Sequence, residues 1–133
     1  MSEILESLAA SDGCEVVRKA DLDAFLASHP RALIFMAGDT VQRQEGLDVA
    51  VVVRELATSY RGRIAVGLVD RRDESHVMSR FGVVVLPAVV FVRDGQAAEL
   101  VARMRDWPVY AQACDRLLAP DGGAGSPGVG GNA

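Results

Sequence analysis

The sequence predicts a single α/β domain in which helices cover both faces of a mixed central β-sheet. Helical and strand patterns alternate over residues 1–119, in the order α-β-α-β-α-β-α-β-β-α. Strands that are joined by helices are expected to be parallel, whereas the last two strands flank an Asp94-Gly95 turn and are expected to form an antiparallel hairpin, followed by a final helix. Half of the residues are apolar, which is enough for a buried core.

The first half of the chain predicts two helices, two strands and a polar loop. Apolar residues at helical spacing predict a helix near the N-terminus and a second one, which Asp21 is placed to cap and which ends before Pro30. The second strand is an uninterrupted apolar run, so we expect it to be buried on both faces. The predicted elements are a helix at 4–8, a strand at 14–18, a helix at 21–28, a strand at 32–36 and a loop at 37–44.

The second half predicts the longest helix, the terminal hairpin and a last helix. Five apolar residues fall on one face of the long helix, and Gly62 follows as a stop signal. Asp94-Gly95 suits a type I′ turn, and Asp106 is placed to cap the last helix. The predicted elements are a helix at 47–60, a strand at 64–69, a helix at 74–81, an extended segment at 83–86, strands at 88–92 and 96–104, and a helix at 106–118.

Composition and charge exclude several classes of function. The net charge of -4 and the 5% aromatic content disfavour a nucleic-acid surface, so a basic or apolar partner is expected instead. The longest uncharged apolar run, at 83–92, is too short to enter and span a bilayer. Because the N-terminus carries no secretory signal and the thiols are unpaired, we expect a reducing cytoplasm.

The glycine- and proline-rich segment at 120–133 is set apart from the rest of the chain. Such a composition buries too little apolar surface to offset its chain entropy, so we expect a disordered tail. A GxGxxG pattern falls in this tail, at 123–128. Because neither a strand nor a helix flanks it, we interpret it as a chance match rather than a dinucleotide site.

The order of elements and several short motifs resemble the thioredoxin fold. One segment resembles the strand that precedes the thioredoxin active site, another the joint between the long helix and the next strand. Three further segments resemble the region of the cis-proline and its hairpin. These segments are Phe35-Met36-Ala37, Tyr60-Arg61-Gly62-Arg63-Ile64, Phe81-Gly82-Val83, Leu86-Pro87-Ala88 and Arg93-Asp94-Gly95.

The catalytic thiols of thioredoxins are absent from the matching loop. Where thioredoxins carry CxxC, residues 38–45 read GDTVQRQE, and Ile34 stands where the buried acid of thioredoxins is expected. Because dithiol exchange requires two thiols, the sequence predicts a protein that is not an enzyme. Cys14 and Cys114 are predicted to be buried small apolar residues; the alternative is a thiol-dependent redox or thiol-modified protein that uses one of them. No metal-ligand spacing occurs, so no metal is expected.

The chain is also similar to a narrower group, the thioredoxin-like hydrogenase expression/formation proteins of the HyaE/HupG type. The similarity rests on Arg80-Phe81-Gly82-Val83 followed by Pro87-Ala88, and on an acid-containing loop in place of cysteines. It implies a cofactor-free chaperone for maturation of the small subunit of a nickel–iron hydrogenase. The implied partner is the small-subunit precursor, contacted through its twin-arginine signal peptide.

Three acids and one apolar edge form the predicted partner-binding site. Asp39, Glu45 and Asp48 fall on acidic positions of the family pattern, at the start of the long helix. Acids there either stabilise the helix N-terminus or bind arginines of the client in bidentate geometry. The apolar part of the client is expected to lie along Val85 and Leu86.

Pro87 completes this predicted site. We expect the Leu86–Pro87 bond to be cis, as the resemblance implies. Pro87 either exposes backbone groups to which an extended peptide can pair as an added strand, or only sets the turn into the hairpin.

Overall fold

A five-stranded mixed sheet organises the chain, which a computed structural model describes for residues 2–120. The strands are β1 (Cys14–Val17), β2 (Arg31–Met36), β3 (Ala65–Val69), β4 (Ala88–Arg93) and β5 (Gln96–Ala102). Their order across the sheet is β1-β3-β2-β4-β5. β1, β3 and β2 are parallel, whereas β4 is antiparallel to β2 and β5 is antiparallel to β4. The predicted mixed sheet and terminal hairpin are confirmed.

All five predicted helices form, and they cover both faces of the sheet. They are α1 (Glu3–Ala9), α2 (Leu22–Ser28), α3 (Glu45–Ser59), α4 (Glu74–Phe81) and α5 (Trp107–Leu118). α1, α3 and α5 pack on one face, and α2 and α4 pack on the other. None of these helices has the length and apolarity that a bilayer crossing requires. Apart from its first residue, the predicted tail at 120–133 lies outside the described residues.

β2 lies at the centre of the core and contributes side chains to both faces. Leu33 and Phe35 join the apolar cluster beneath α1, α3 and α5, while Ala32, Ile34 and Met36 join the cluster beneath α2 and α4. All five are buried, because a strand with neighbours on both sides and helices on both faces has no solvent-facing side. The predicted doubly buried strand is therefore confirmed.

Two turn conformations agree with the sequence. Asp94 has φ 50° and Gly95 has φ 81°, so both central residues of the hairpin turn lie in the left-handed region, as a type I′ turn requires. The Leu86–Pro87 peptide bond is cis, as predicted.

Several boundaries and caps differ from the prediction. α3 begins at Glu45, two residues before the predicted start, so Glu45 and Asp48 both lie in its first turn. β5 ends at Ala102 rather than at 104, because Arg103 adopts φ 67° and turns the chain out of the sheet. Asp21 and Asp106 occupy the N-cap positions of α2 and α5, but neither side chain caps its helix.

One end of the sheet gathers the loops that the sequence singled out. β1, β2 and β3 end here and β4 begins here, because β4 runs antiparallel to β2. The 37–44 loop, the first turn of α3, the 83–87 segment and the residues after β5 therefore all meet at this edge, which we call the site end.

Candidate partner-binding site

The structure places all six predicted site residues at the site end. The carbonyl of Pro87 accepts a hydrogen bond of 2.8 Å from the amide of Arg103, which joins the 83–87 segment to the end of β5. A Cβ on Gly38 would lie 3.2 Å from the Cβ of Leu86, so the 37–44 loop packs directly on that segment. Asp39 lies in the same loop, Glu45 and Asp48 lie in the first turn of α3, and Val85 lies beside Leu86.

Glu45 is already bound within the chain. Its Oε1 lies 2.7 Å from Nη2 of Arg103, and its Oε2 accepts a 2.8 Å hydrogen bond from the amide of Met104. The hydrogen bond from Arg103 lowers the pKa of Glu45, and the Met104 amide acts in the same direction. Glu45 thus ties α3 to the segment after β5 and is not an open receptor for a ligand.

Asp39 and Asp48 are the predicted acids that remain available. Oδ1 of Asp39 accepts hydrogen bonds of 3.1 Å from the amides of Val41 and Gln42, so it shapes the loop rather than capping the helix. Its Oδ2 has no hydrogen-bond partner within residues 2–120, and neither has the exposed carboxylate of Asp48. Both can therefore accept donors from a bound molecule.

Glu74 is a central residue of this region that no motif in the sequence indicated. Its side chain is only 3% exposed; Oε2 accepts a 3.1 Å hydrogen bond from the amide of Gly38 and Oε1 lies 2.7 Å from Nη1 of Arg71. Desolvation by burial raises its pKa. A buried acid thus supports the loop from α4, while the strand position Ile34 is apolar. The sequence signal that could have identified Glu74 is its position soon after β3, at the edge where the carboxyl ends of the parallel strands converge.

Two clefts open on either side of the 37–44 loop. The α1-side cleft, of about 290 Å³, has apolar walls from Leu5, Val16, Val41 and Leu68 and a polar margin that includes Asp39. The proline-side cleft, of about 170 Å³, is lined by Gly38, Asp39, Arg43, Arg71, Leu86 and Pro87. Asp39 and Arg71 belong to both clefts, so one ligand could contact Asp39 from either side.

Exposed apolar side chains are concentrated at the site end. Val41 in the 37–44 loop is 91% exposed, and Val84 in the 83–87 segment is 84% exposed. Val85, Met104 and Trp107 are also exposed, at 40–42% of their surface. Pro87 itself is buried and Leu86 is half-buried. This end of the domain therefore combines open acids with apolar surface, which is a suitable composition for binding a basic and apolar peptide.

Neither cysteine lies at the site end. Cys14 begins β1 at the opposite end of the sheet, and Cys114 is buried in α5. Burial raises the pKa of Cys14 to about 11, with a further contribution from Asp12, and burial raises the pKa of Cys114 to about 12. With pKa values this far above neutrality, the nucleophilic thiolate form of both cysteines is disfavoured at pH 7. Within residues 2–120, no cluster of three or more histidine, cysteine or acidic side chains is arranged to hold a metal ion.

The fold and the site together define a class: a thioredoxin-like domain without cysteines at the dithiol position. A mutant thioredoxin from Halobacterium salinarum NRC-1 superimposes with a TM-score of 0.70, covering 84% of this chain and 97% of that one at 21% identity. The similarity establishes the fold, and the 37–45 segment of this chain contains no thiol.

The particular family follows from sequence comparison. The family model described as "Hydrogenase-1 expression protein HyaE" matches residues 4–110, and the chain belongs to this family. It is 36% identical over 124 residues to the hydrogenase expression/formation protein HupG of Rhizobium leguminosarum bv. viciae, covering 90% of this chain and 83% of that protein. It is also 36% identical over 118 residues to HoxO of Cupriavidus necator, covering 87% and 73%.

A solved structure supports the same assignment. The putative hydrogenase expression/formation protein hupG from Rhodopseudomonas palustris CGA009 matches with a TM-score of 0.55 and 33% identity, covering 77% of this chain and 93% of that one.

Proposed function

We propose that the protein is a cytoplasmic, non-catalytic chaperone that binds the twin-arginine signal peptide of a nickel–iron hydrogenase small-subunit precursor. Membership of the HyaE family supports a role in hydrogenase expression and formation. The observation that carries the finer proposal is the composition of the site end, where open carboxylates lie beside exposed apolar side chains and no thiol is present.

The charges support a basic ligand at two of the three predicted acids. Asp39 and Asp48 each have carboxylate oxygens without a partner among the described residues, and carboxylates bind guanidinium groups in bidentate geometry. Glu45 is held by Arg103 and contributes to the shape of the site instead. We therefore assign recognition of the client's arginines to Asp39 and Asp48.

The alternative of thiol-dependent chemistry receives no support from the geometry. Both cysteine pKa values are raised, and neither thiol lies at the site end. An insulin-reduction assay distinguishes the two functions. We expect no turnover above the uncatalysed rate, and turnover comparable to that of a thioredoxin would overturn the chaperone proposal.

Calorimetric titration of a synthetic twin-arginine signal peptide tests the binding proposal. The variant Asp39→Asn with Asp48→Asn keeps side-chain shape and the Oδ1 acceptor of residue 39, but removes two charges. Because a hydrogen bond to a charged group contributes about 1.5–3 kcal/mol, we expect binding at least about tenfold weaker than that of the wild type. The difference in peptide affinity between the wild type and the double variant should decrease with added salt, since salt screens exposed charges.

A charge-matched control separates local recognition from general electrostatics. The double variant Asp12→Asn with Asp94→Asn also removes two negative charges, but at the opposite end of the sheet. Asparagine tolerates the positive φ at residue 94. We expect this control to bind nearly as the wild type does. Equal weakening in both double variants would refute the assignment to Asp39 and Asp48.

A further inference from the structure

We propose that the α1-side cleft binds a large apolar side chain of the client, next to an arginine bound by Asp39. This inference rests on the proposed function and assigns its apolar subsite. It also moves that subsite away from the Val85–Leu86 edge, where the sequence predicted it, to the opposite side of the 37–44 loop.

The lining of the α1-side cleft suits an apolar occupant. Its walls come from α1, the ends of β1 and β3, and the 37–44 loop, and they present Leu5, Val16, Val41 and Leu68. Val41 is 91% exposed and Val16 is also exposed, so both lose contact with water only when something fills the cleft. Burying such surface is the main favourable contribution to peptide association.

The acidic groups at the margin are engaged within the chain, with one exception. Glu74 binds the Gly38 amide and Arg71, and Asp70 accepts hydrogen bonds from the guanidinium of Arg72. Asp39 alone presents a carboxylate oxygen, Oδ2, without a partner in residues 2–120. The cleft therefore offers an apolar pocket with one open carboxylate oxygen at its margin, where the Arg71 guanidinium is paired with Glu74. This pattern complements an apolar side chain that is close in sequence to an arginine.

The proline-side cleft is a poorer site for the same client. It is smaller, at about 170 Å³, and it is lined by Arg43 in addition to Arg71, which lines both clefts; the additional cation disfavours a basic peptide. Leu86 is packed against Gly38 and against the core beneath α4, so it has little surface left to offer. Val84 and Val85 stand on the surface beside it and line neither cleft.

The size of the α1-side cleft limits the occupant. At about 290 Å³ it lies at the lower bound of small-molecule sites, which fits one or two side chains better than a cofactor. A leucine, isoleucine or phenylalanine of an extended peptide matches this volume and the apolar lining.

The test compares Val41→Ser with Val84→Ser. Both valines are almost fully exposed in loops at the site end, so neither substitution should change the fold, but only Val41 lines the cleft. The probe is the twin-arginine signal peptide, titrated by calorimetry. From the apolar area that a bound side chain would cover, we expect Val41→Ser to weaken binding by about fivefold to tenfold and Val84→Ser to leave it within about twofold.

A second peptide turns this comparison into a double-mutant cycle between the protein and the peptide. When the apolar residues after its arginines are replaced by serine, wild type and Val41→Ser should bind it equally. An unchanged affinity for Val41→Ser, or equal losses in both valine variants, would overturn the cleft assignment while leaving the proposed function intact. If the wild type does not bind the peptide at all, both the cleft assignment and the proposed function fail. Concentration-dependent dimerisation that Val41→Ser abolishes would instead assign the cleft to a second copy of the chain.

Discussion

Nη2 of Arg103 lies 2.7 Å from Oε1 of Glu45, which joins the end of β5 to the first turn of α3. Three further hydrogen bonds hold the same segment: the Arg103 amide to the carbonyl of Pro87, the Met104 amide to Glu45, and the hydroxyl of Tyr110 to the carbonyl of Arg103. The left-handed backbone of Arg103 is thus fixed from several sides. The sequence predicted that Glu45 would bind the client, but in the structure its carboxylate holds two segments of the domain together.

Releasing Glu45 should strengthen the binding of a basic peptide. Arg103→Asn removes the internal cation with a residue that tolerates φ 67° but whose side chain is too short to pair with Glu45. We expect the affinity for the twin-arginine peptide to rise about threefold or more, because one further carboxylate becomes available for charge-assisted hydrogen bonds. Calorimetric titration measures the change.

Arg43→Asn is the matched control for this prediction. Arg43 also lowers the pKa of Glu45 through its charge, but no hydrogen bond joins the two side chains. Its removal changes the net charge equally and should raise the affinity much less. If both variants gain equally, the effect is one of general electrostatics, and Glu45 is not a latent receptor.

Gly46 should be required for the packing of α3 against the 37–44 loop. A Cβ at this position would overlap the carbonyl oxygen of Ala37, and that neighbour is backbone. We therefore expect Gly46→Ala to lower the free energy of unfolding by about 1–3 kcal/mol, although glycine to alanine in a helix normally raises it by about 1 kcal/mol. Urea denaturation checks the sign, with Ser59→Ala at the exposed end of α3 as a control. A stabilised Gly46→Ala protein would contradict this packing.

The ionisation of Glu74 should oppose stability as the pH rises. Burial raises its pKa above the ordinary value of 4.5, so the folded chain holds this proton more tightly than the unfolded chain does. The contribution of Glu74 is therefore most favourable below pH 4.5 and is lost as the pH rises through the folded-state pKa. Glu74→Gln, which does not ionise, should gain stability relative to the wild type between about pH 4 and pH 7. The urea unfolding midpoints of wild type and Glu74→Gln at these two pH values test this prediction. A loss of stability of Glu74→Gln relative to the wild type as the pH rises would contradict it.

The fold was predictable from the sequence because local signals agreed with one another. The apolar run of β2, the helical spacing in α3 and the Asp94-Gly95 turn each predict an element from neighbouring residues alone. The boundaries that were wrong depend on distant partners. β5 stops at Ala102 because Arg103 turns away toward Glu45, which is 58 residues earlier in the chain.

The site was predictable only in part, for the same physical reason. The sequence indicated which loops carry the site, but not which acids remain open. Glu45 is paired with a residue from β5's end, and Glu74 enters the site from α4 to hold the Gly38 amide, 36 residues away. Such long-range pairings follow from the assembled sheet and leave no local pattern.

Complex formation with the client precursor tests the central claim most directly. The purified full chain would be mixed with a nickel–iron hydrogenase small-subunit precursor and with the same subunit lacking its twin-arginine leader. Size-exclusion chromatography with light scattering would then measure the masses. We predict a complex with the precursor and none with the leaderless subunit. Equal binding to both forms, or no binding to either, would contradict the proposal that this protein recognises the signal peptide.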